Sequence, residues 1–233
     1  MLTSRKTLLA AGLALASAAL TTGSADAFTL SIDPSAGSTE NTGATTEVEF
    51  NFFDVGNQVR LDLNFANTTD GSAGLGATQA TLVGFAFDLL AGVSTSESDY
   101  SSGTFTKYYS NVSVGGISNG AYNVGAFDVG IRSAGPGNFT GGNPQGGVTA
   151  GASAAASFLL TDAQGRSASE LEGLFYDGYD SGALNAMGRF QQVNAGGGSD
   201  KVLAQTPEPI TLIGWGLGAA GVAAARKRKR QTA

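Results

Sequence analysis

Strict alternation of apolar and polar residues over positions 46 to 65 limits this part of the chain to β structure. Apolar side chains occupy every second position on both sides of a Gly/Asn turn at 54–57, namely Val48, Phe50, Phe52, Val59, Leu61, Leu63 and Phe65. A period of two residues places all of these side chains on one face of a pleated strand pair. We therefore predict an antiparallel hairpin with one buried and one solvated face.

Further short strands are predicted along the chain, at residues 80–90, 103–109, 111–114, 121–131, 154–161 and 186–193. In the first of these, Gly84 and Ala86 leave one face bare, which indicates close approach of another sheet or a loop. The other face carries Thr81, Val83, Phe85, Phe87 and Leu89. Many short strands separated by Gly, Asn and Ser predict an all-β fold, an antiparallel β-sandwich of jelly-roll type.

Two segments interrupt the strand pattern. Residues 130–151 hold eight glycines and two prolines, a composition that favours a long surface loop. Ser167 and Glu170 have the spacing of a capping box, and Leu171, Leu174 and Phe175 follow at helical spacing. This pattern predicts a short helix over residues 168–176.

Composition narrows the chemistry that the chain can perform. It contains neither cysteine nor histidine, which excludes disulfides, thiol catalysis, Ser/His/Asp triads and the commonest transition-metal ligand. Residues 28–206 hold six basic and 17 acidic residues, a net charge of −11. Such a surface repels nucleic acid. The 28–205 body has the length of one domain with a core of its own.

The first 27 residues have the composition of a secretory signal peptide. Arg5 and Lys6 precede an apolar stretch over residues 8–20, and Ala25 and Ala27 fit the small-x-small rule of signal peptidase. An apolar run of this length is too short to span a membrane. We expect a signal helix that is removed by cleavage after Ala27.

The other end, residues 206–230, combines three features in order. Pro207, Glu208 and Pro209 come first, and residues 210–225 then form an uncharged apolar stretch. At 1.5 Å per residue, a helix of that length approaches the thickness of a bilayer core, so a single transmembrane helix is predicted. The basic cluster that follows is expected to stay in the cytoplasm: Arg226, Lys227, Arg228, Lys229 and Arg230.

This three-part tail resembles the PEP-CTERM sorting signal of Gram-negative bacteria. The resemblance covers about a tenth of the chain and implies processing near Pro207–Pro209 by an exosortase, a membrane-embedded cysteine transpeptidase-like enzyme. It also implies export, brief anchoring in the inner membrane, and delivery to the cell surface or a polysaccharide matrix. Such tails occur on unrelated bodies, some of them ice-binding, so the resemblance implies a route and leaves the role of the body open.

In the body, the segment 176–182 is the strongest candidate for site chemistry. Asp177 and Asp180 flank Gly178 beside Tyr176 and Tyr179. These carboxylates are candidate calcium ligands, since hard cations prefer oxygen. Tyrosine beside carboxylate also suits a sugar contact, and an ordinary turn is the third interpretation. No catalytic residue and no resident cofactor are predicted.

Three functions are compatible with these features. The first is a non-enzymatic surface or matrix protein that follows the exosortase route and contacts extracellular polysaccharide. The second is a carbohydrate-, calcium- or ice-binding module that uses the glycine-rich loop and residues 176–180. The third is a glycosidase that works with carboxylates alone, drawn from Glu47, Glu49, Asp62 and Asp88.

Overall fold

A computed structural model describes residues 27–119, 122–141, 143–205 and 208–209. The predicted signal helix, the predicted transmembrane helix at 210–225 and the basic cluster at 226–230 lie outside these residues. Within the described ranges, no helix has both the length and the apolar character needed to cross a membrane.

The described residues form two antiparallel sheets with one helix, which confirms the predicted β-sandwich. The strands and the α-helix are, in chain order, β1 (Ala27–Ile32), β2 (Thr46–Val55), β3 (Gln58–Asn67), β4 (Thr81–Phe87), β5 (Val93–Ser94), β6 (Tyr100–Ser101), β7 (Lys107–Asn119), β8 (Tyr122–Arg132), β9 (Val148–Thr149), β10 (Ser153–Asp162), α1 (Ala168–Asp180), β11 (Ala186–Gln191), β12 (Ser199–Leu203) and β13 (Glu208–Pro209). Sheet A has the strand order β13-β1-β2-β3-β10-β5, with β6 also paired to β10. Sheet B has the order β12-β11-β4-β8-β7, with β9 also paired to β4.

The hairpin predicted from the alternation is confirmed as β2 and β3. The strands pair in continuous register from Thr46 opposite Asn67 to Val55 opposite Gln58. The apolar residues of the alternation, from Val48 to Phe65, are buried, while Glu47, Glu49 and Asn64 lie on the opposite face, half-exposed or exposed. The alternation therefore determines which face of sheet A is turned toward the core.

Strand β4 departs from the predicted alternation. Arg189 of β11 pairs with Gly84, but Phe190 pairs with Leu82, so Val83 is an extra residue in β4. This bulge moves Leu82 onto the same side as Phe85 and Phe87, where all three join the central core. The prediction that Val83 shares a face with Phe85 is therefore wrong, because a bulge shifts the period by one residue.

Other boundaries also differ from the sequence prediction. The two strands predicted at 103–109 and 111–114 are one strand, β7, which begins at Lys107 and pairs with β8. Strands β1 and β12 were not predicted. In β12 the usual pattern is interrupted, because its buried residues include the carboxylate Asp200 beside Val202 and Leu203.

The core lies between the sheets and is built from aromatic rings. The ring centroid of Phe50 is 4.9 Å from that of Phe28 in sheet A, and 6.3 Å and 6.2 Å from those of Phe85 and Phe87 in sheet B. It is also 5.6 Å from the ring of Tyr179 in α1. Phe50 thus joins both sheets and the helix, and ring pairs at these separations add to the gain from burial.

Helix α1 begins with the predicted capping box but is longer than predicted. The Ser167 side chain accepts from the Glu170 amide, and the Glu170 carboxylate accepts from the Ser167 amide. The helix continues past residue 176 to Asp180, because Tyr179 adds a further apolar turn that is buried in the core with Leu171 and Phe175. Burial of this face extends the helix beyond residue 176, where it was predicted to end.

A buried carboxylate holds the loop that connects β1 to β2. Asp200, which is 2% exposed, accepts hydrogen bonds from the backbone amides of Thr39, Glu40 and Thr42. It also accepts from the hydroxyls of Ser38, Thr39 and Thr42. Because a buried charge is tolerated only when it is hydrogen-bonded, this set explains how a carboxylate occupies an interior position of β12.

Replacement of Phe50 by alanine should destabilise the whole sandwich. Removing a fully buried phenylalanine ring leaves a cavity, and we expect the free energy of unfolding to fall by about 3 to 5 kcal/mol. Urea denaturation followed by fluorescence measures this. Leu75→Ala, at a side chain that is 60% exposed, should change stability by less than about 0.5 kcal/mol. Equal effects of the two substitutions would contradict the central position of Phe50.

The turn before α1 should make stability depend on pH. Arg166 donates from Nε and Nη2 to the two oxygens of Asp162, at 3.0 and 2.7 Å, and these hydrogen bonds hold the pKa of Asp162 well below its usual range. A lowered carboxyl pKa contributes stability above the unfolded pKa of about 3.9 and loses it as the pH falls toward the folded pKa.

The variant Asp162→Asn should therefore be less stable than the parent chain at pH 7, and the difference should shrink steadily below about pH 4. Urea titrations at a series of pH values give this difference directly. Asn57→Ala, in the exposed turn between β2 and β3, serves as a control because neither residue titrates. A difference for Asp162→Asn that stays constant down to pH 2 would contradict the ion pair.

Candidate functional site

The segment predicted as a calcium or sugar contact is part of α1. Asp177 and Asp180 are exposed on its last turns, whereas Tyr179 is buried. The Tyr179 hydroxyl donates to the backbone carbonyl of Asp88, and burial raises the pKa of Tyr179 well above its usual value. The ordinary-turn interpretation is wrong for residues 176–180, which continue the helix as far as Asp180, and is confirmed for Ser181 and Gly182, which form a turn.

The glycine-rich segment at 130–151 is the predicted surface loop only in part, because its ends belong to β8 and β9 and some of its loop residues are buried. Its first residues belong to β8, and the part from 133 to 141 folds back over the outer face of sheet B. Arg132, which is fully buried, donates through its guanidinium to five backbone carbonyls of this loop: Ser133, Gly135, Pro136, Asn138 and Gly141. The fork of guanidinium donors thus organises a loop that has few side chains of its own.

Two strand glycines make room for this loop. Phe139 packs over Gly84 of β4 and Gly130 of β8, and it makes an edge contact with the ring of Tyr109. A Cβ at Gly130 would lie 2.5 Å from Val112 Cγ2 and 3.0 Å from Phe139 Cδ2. The expectation that the bare face of β4 marks the close approach of a loop is therefore confirmed.

Three cations lie along the outer side of sheet B in this acidic body. In the strand register Lys201 pairs with Arg189, and both Arg189 and Arg132 pair with Gly84. Burial and the neighbouring Arg132 charge lower the pKa of Arg189, and burial and Arg189 lower that of Lys201. Arg189 donates to the Phe139 carbonyl of the covering loop, and Lys201 donates to the Val114 carbonyl of β7, at 2.6 Å each.

The glycosidase candidates separate into two places. Glu47, Glu49 and Asp62 share the outer face of sheet A, as the alternation predicted. Asp88 follows β4 at the other sheet and accepts from the amide and side chain of Asn185. Burial raises the pKa of Asp88, and the nearby Asp128 charge adds to that shift. Asp88 therefore links the end of β4 to Asn185, the residue that precedes β11.

The outer face of sheet A carries a groove, which is the candidate site. Two adjoining depressions of about 470 and 540 Å³ run over β3 and β10 and share Asn64 and Ala155 as lining residues. The first is lined by Arg60, Asp62, Asn64, Ser101, Ser102, Ala155, Ala156 and Ser157. The second reaches β1 and β2 and is lined by Thr29, Glu47, Glu49, Asn64, Phe65, Ala66, Ser153, Ala154 and Ala155.

The shape of this groove follows from side-chain size. Strand β10 presents Ser153, Ala155 and Ser157 on this face, and β3 presents Ala66, so the floor is low. Longer side chains from β2 and β3 and the Ser101–Ser102 segment rise beside it. The outer face of sheet A thereby acquires an open depression over β10 and the adjoining part of β3, bordered by these longer side chains.

The polar side chains of the groove are held by hydrogen bonds to one another. Asp62 accepts from Arg60 Nε at 3.1 Å and from the Ser157 hydroxyl at 2.6 Å. One row further along, the Asn64 amide donates to Glu49 at 2.9 Å. The Arg60 guanidinium also lies 4.7 Å from the centre of the Phe53 ring. Planar carboxylate, amide and guanidinium groups are thus fixed side by side, half in contact with solvent.

Within the ranges that the structure describes, no group of three or more acidic side chains converges as metal ligands would. The groove instead offers hydrogen-bond acceptors and donors over small aliphatic groups. Sequence analysis identified its carboxylates as a solvated face and missed Arg60, Asn64 and Ser157. The pairing of β3 with β10, which brings Ser157 opposite Asp62, joins segments about 90 residues apart and gives no local signal.

The predicted processing sites lie where the chain enters and leaves the sandwich. Ala27 is the first residue of β1, and Phe28 after it is fully buried. Glu208 and Pro209 form β13, which pairs with Thr29 and Phe28 at the edge of sheet A. Ala25, Pro207 and residues 226–230 lie outside the described residues.

No protein-family model matches this sequence, and comparisons with curated proteins and with solved structures returned no significant match.

Replacement of Arg132 by methionine tests the role assigned to the loop over sheet B. Methionine keeps much of the aliphatic volume but leaves buried carbonyls without their donor, and each such group costs about 1 to 3 kcal/mol. We expect a fall of at least about 3 kcal/mol in the free energy of unfolding and faster proteolysis within residues 133–141. Arg60→Met, at a side chain that is 42% exposed, is the matched control and should change stability by less than about 1 kcal/mol. A stable, protease-resistant Arg132→Met variant would contradict this role.

Proposed function

We propose that this chain is an exported, non-enzymatic surface or matrix protein whose C-terminal tail is recognised and processed by an exosortase. The observation that carries the proposal is the ordered tail: Pro207–Glu208–Pro209, an apolar stretch at 210–225 and a basic cluster at 226–230. Signal peptidase first cleaves after Ala27. The chain is then held in the inner membrane by residues 210–225 until the exosortase releases it to the cell surface.

Two features of the body support this route. The processing motif follows the last long strand pairing, and only two of its residues, Glu208 and Pro209, pair with the edge of sheet A as β13. The body also has neither histidine nor cysteine, and its core is packed from aromatic rings that need no disulfide or metal. A fold of this kind remains intact outside the cell whatever the redox state of its surroundings.

The intact mass of the protein from its native host, with and without an active exosortase, tests this proposal. The processed form should begin at Phe28 and lack residues 226–230 only when the exosortase is active. The variant Glu208→Ala should keep the basic cluster attached, whereas the matched variant Glu97→Ala, in an exposed turn of the body, should be processed normally. Retention of residues 226–230 in every fraction would mean a permanent anchor and would overturn the proposal.

A further inference from the structure

We propose that the groove on the outer face of sheet A binds a neutral polysaccharide chain across strands β1, β2, β3 and β10. This inference rests on the proposed function only for the source of the ligand, because a protein delivered to the cell surface meets matrix polysaccharide there. The chemistry of binding is argued from the groove itself.

The groove has the size of an oligosaccharide site. Its two depressions adjoin at Asn64 and Ala155, and they extend from the Ser101–Ser102 segment beside β10 to Thr29 of β1. Neighbouring strands lie about 4.8 Å apart, so the three spacings from β1 to β10 give a trough of about 14 Å. This length accommodates several linked sugar rings. The low floor of alanine and serine permits a ring to approach the sheet closely.

The functional groups in the groove suit vicinal hydroxyls. Asp62 and Glu49 each accept hydrogen bonds from protein donors and have further lone pairs for hydroxyl donors. The Asn64 carbonyl oxygen is an acceptor beside them, and the Ser157 hydroxyl already donates to Asp62, so its oxygen can accept. A sugar that presents adjacent hydroxyl groups can therefore be bound by two or three planar side chains at once.

These groups are organised before any ligand arrives. The contacts from Ser157 to Asp62 and from Asn64 to Glu49 bridge neighbouring strands, and Arg60 is fixed between Asp62 and the ring of Phe53. Binding then costs little side-chain entropy, which is the main penalty when flexible polar side chains order around a ligand. These hydrogen bonds tie the polar groups of three neighbouring strands, β2, β3 and β10, into one array.

The charge of the groove selects a neutral ligand. Three carboxylates, Glu47, Glu49 and Asp62, line it, and its one lining cation, Arg60, is already paired with Asp62. A polysaccharide that carries uronate or sulfate groups would be repelled at this face. The cations of sheet B lie on the other sheet, away from this groove, and each donates to a backbone carbonyl there.

Binding of the purified full-length chain to immobilised neutral and acidic polysaccharides tests this inference. We expect a neutral polysaccharide to bind without added calcium, and Asp62→Ala and Asn64→Ala to weaken that binding at least tenfold. Asp177→Ala, on the exposed face of α1, and Asn57→Ala, in the exposed turn between β2 and β3, are matched controls that should bind as the parent does. Urea midpoints of all four variants should stay close to that of the parent.

Several results would overturn the inference. They are absence of binding to every neutral polysaccharide, binding restricted to acidic polysaccharides, binding that requires calcium, and binding that survives both Asp62→Ala and Asn64→Ala in folded protein. None of these depends on the tail. Failure of sorting would instead appear in the intact mass of the native protein, so the two proposals fail separately.

Discussion

The contact of Phe50 with rings from both sheets and from the helix is the interaction on which the rest of the structure depends. Sheet A, sheet B and α1 meet at this side chain and its neighbours. In a chain without cysteine, this packing takes the place of the covalent links that many exported domains use. The outer face of sheet A can therefore carry polar side chains, because its inner face provides the apolar surface that packs in the core.

Much of this architecture is predictable from residue alternation. The β2–β3 hairpin, the start of α1 at Ser167 and the covered glycine of β4 all follow from local pattern, because each depends on residues within a few positions. The bulge at Val83 does not, since β4 adopts it to match β11 and the loop over sheet B. Strand β12 cannot be predicted from local pattern for a similar reason. Its Asp200 is buried because hydrogen-bond donors about 160 residues away in the sequence satisfy the carboxylate.

The candidate site was accessible to sequence reasoning only in part. The alternation places Glu47, Glu49 and Asp62 on a common face, but a solvated face and a groove have the same pattern in one hairpin. What distinguishes them is the neighbouring β10, whose small residues lower the floor and whose Ser157 contacts Asp62. Conversely, Asp177 and Asp180 resembled a ligand loop because glycine suggested a turn, and the buried Tyr179 draws the segment into the helix instead.

The pairing of β13 with β1 has a mechanical consequence. Tension applied to the chain beyond Pro209 acts first on the pairs Phe28–Pro209 and Thr29–Glu208, and then on the hydrogen bond from Gln205 to Ser31 and the bridge between Ile32 and Ala204. Antiparallel pairs pulled from one end open in succession, so each yields under a small load. The ten pairs of β2 and β3 lie outside this line of force. The sandwich can thus be pulled by its tail, and lose its edge strand, while the groove keeps its shape.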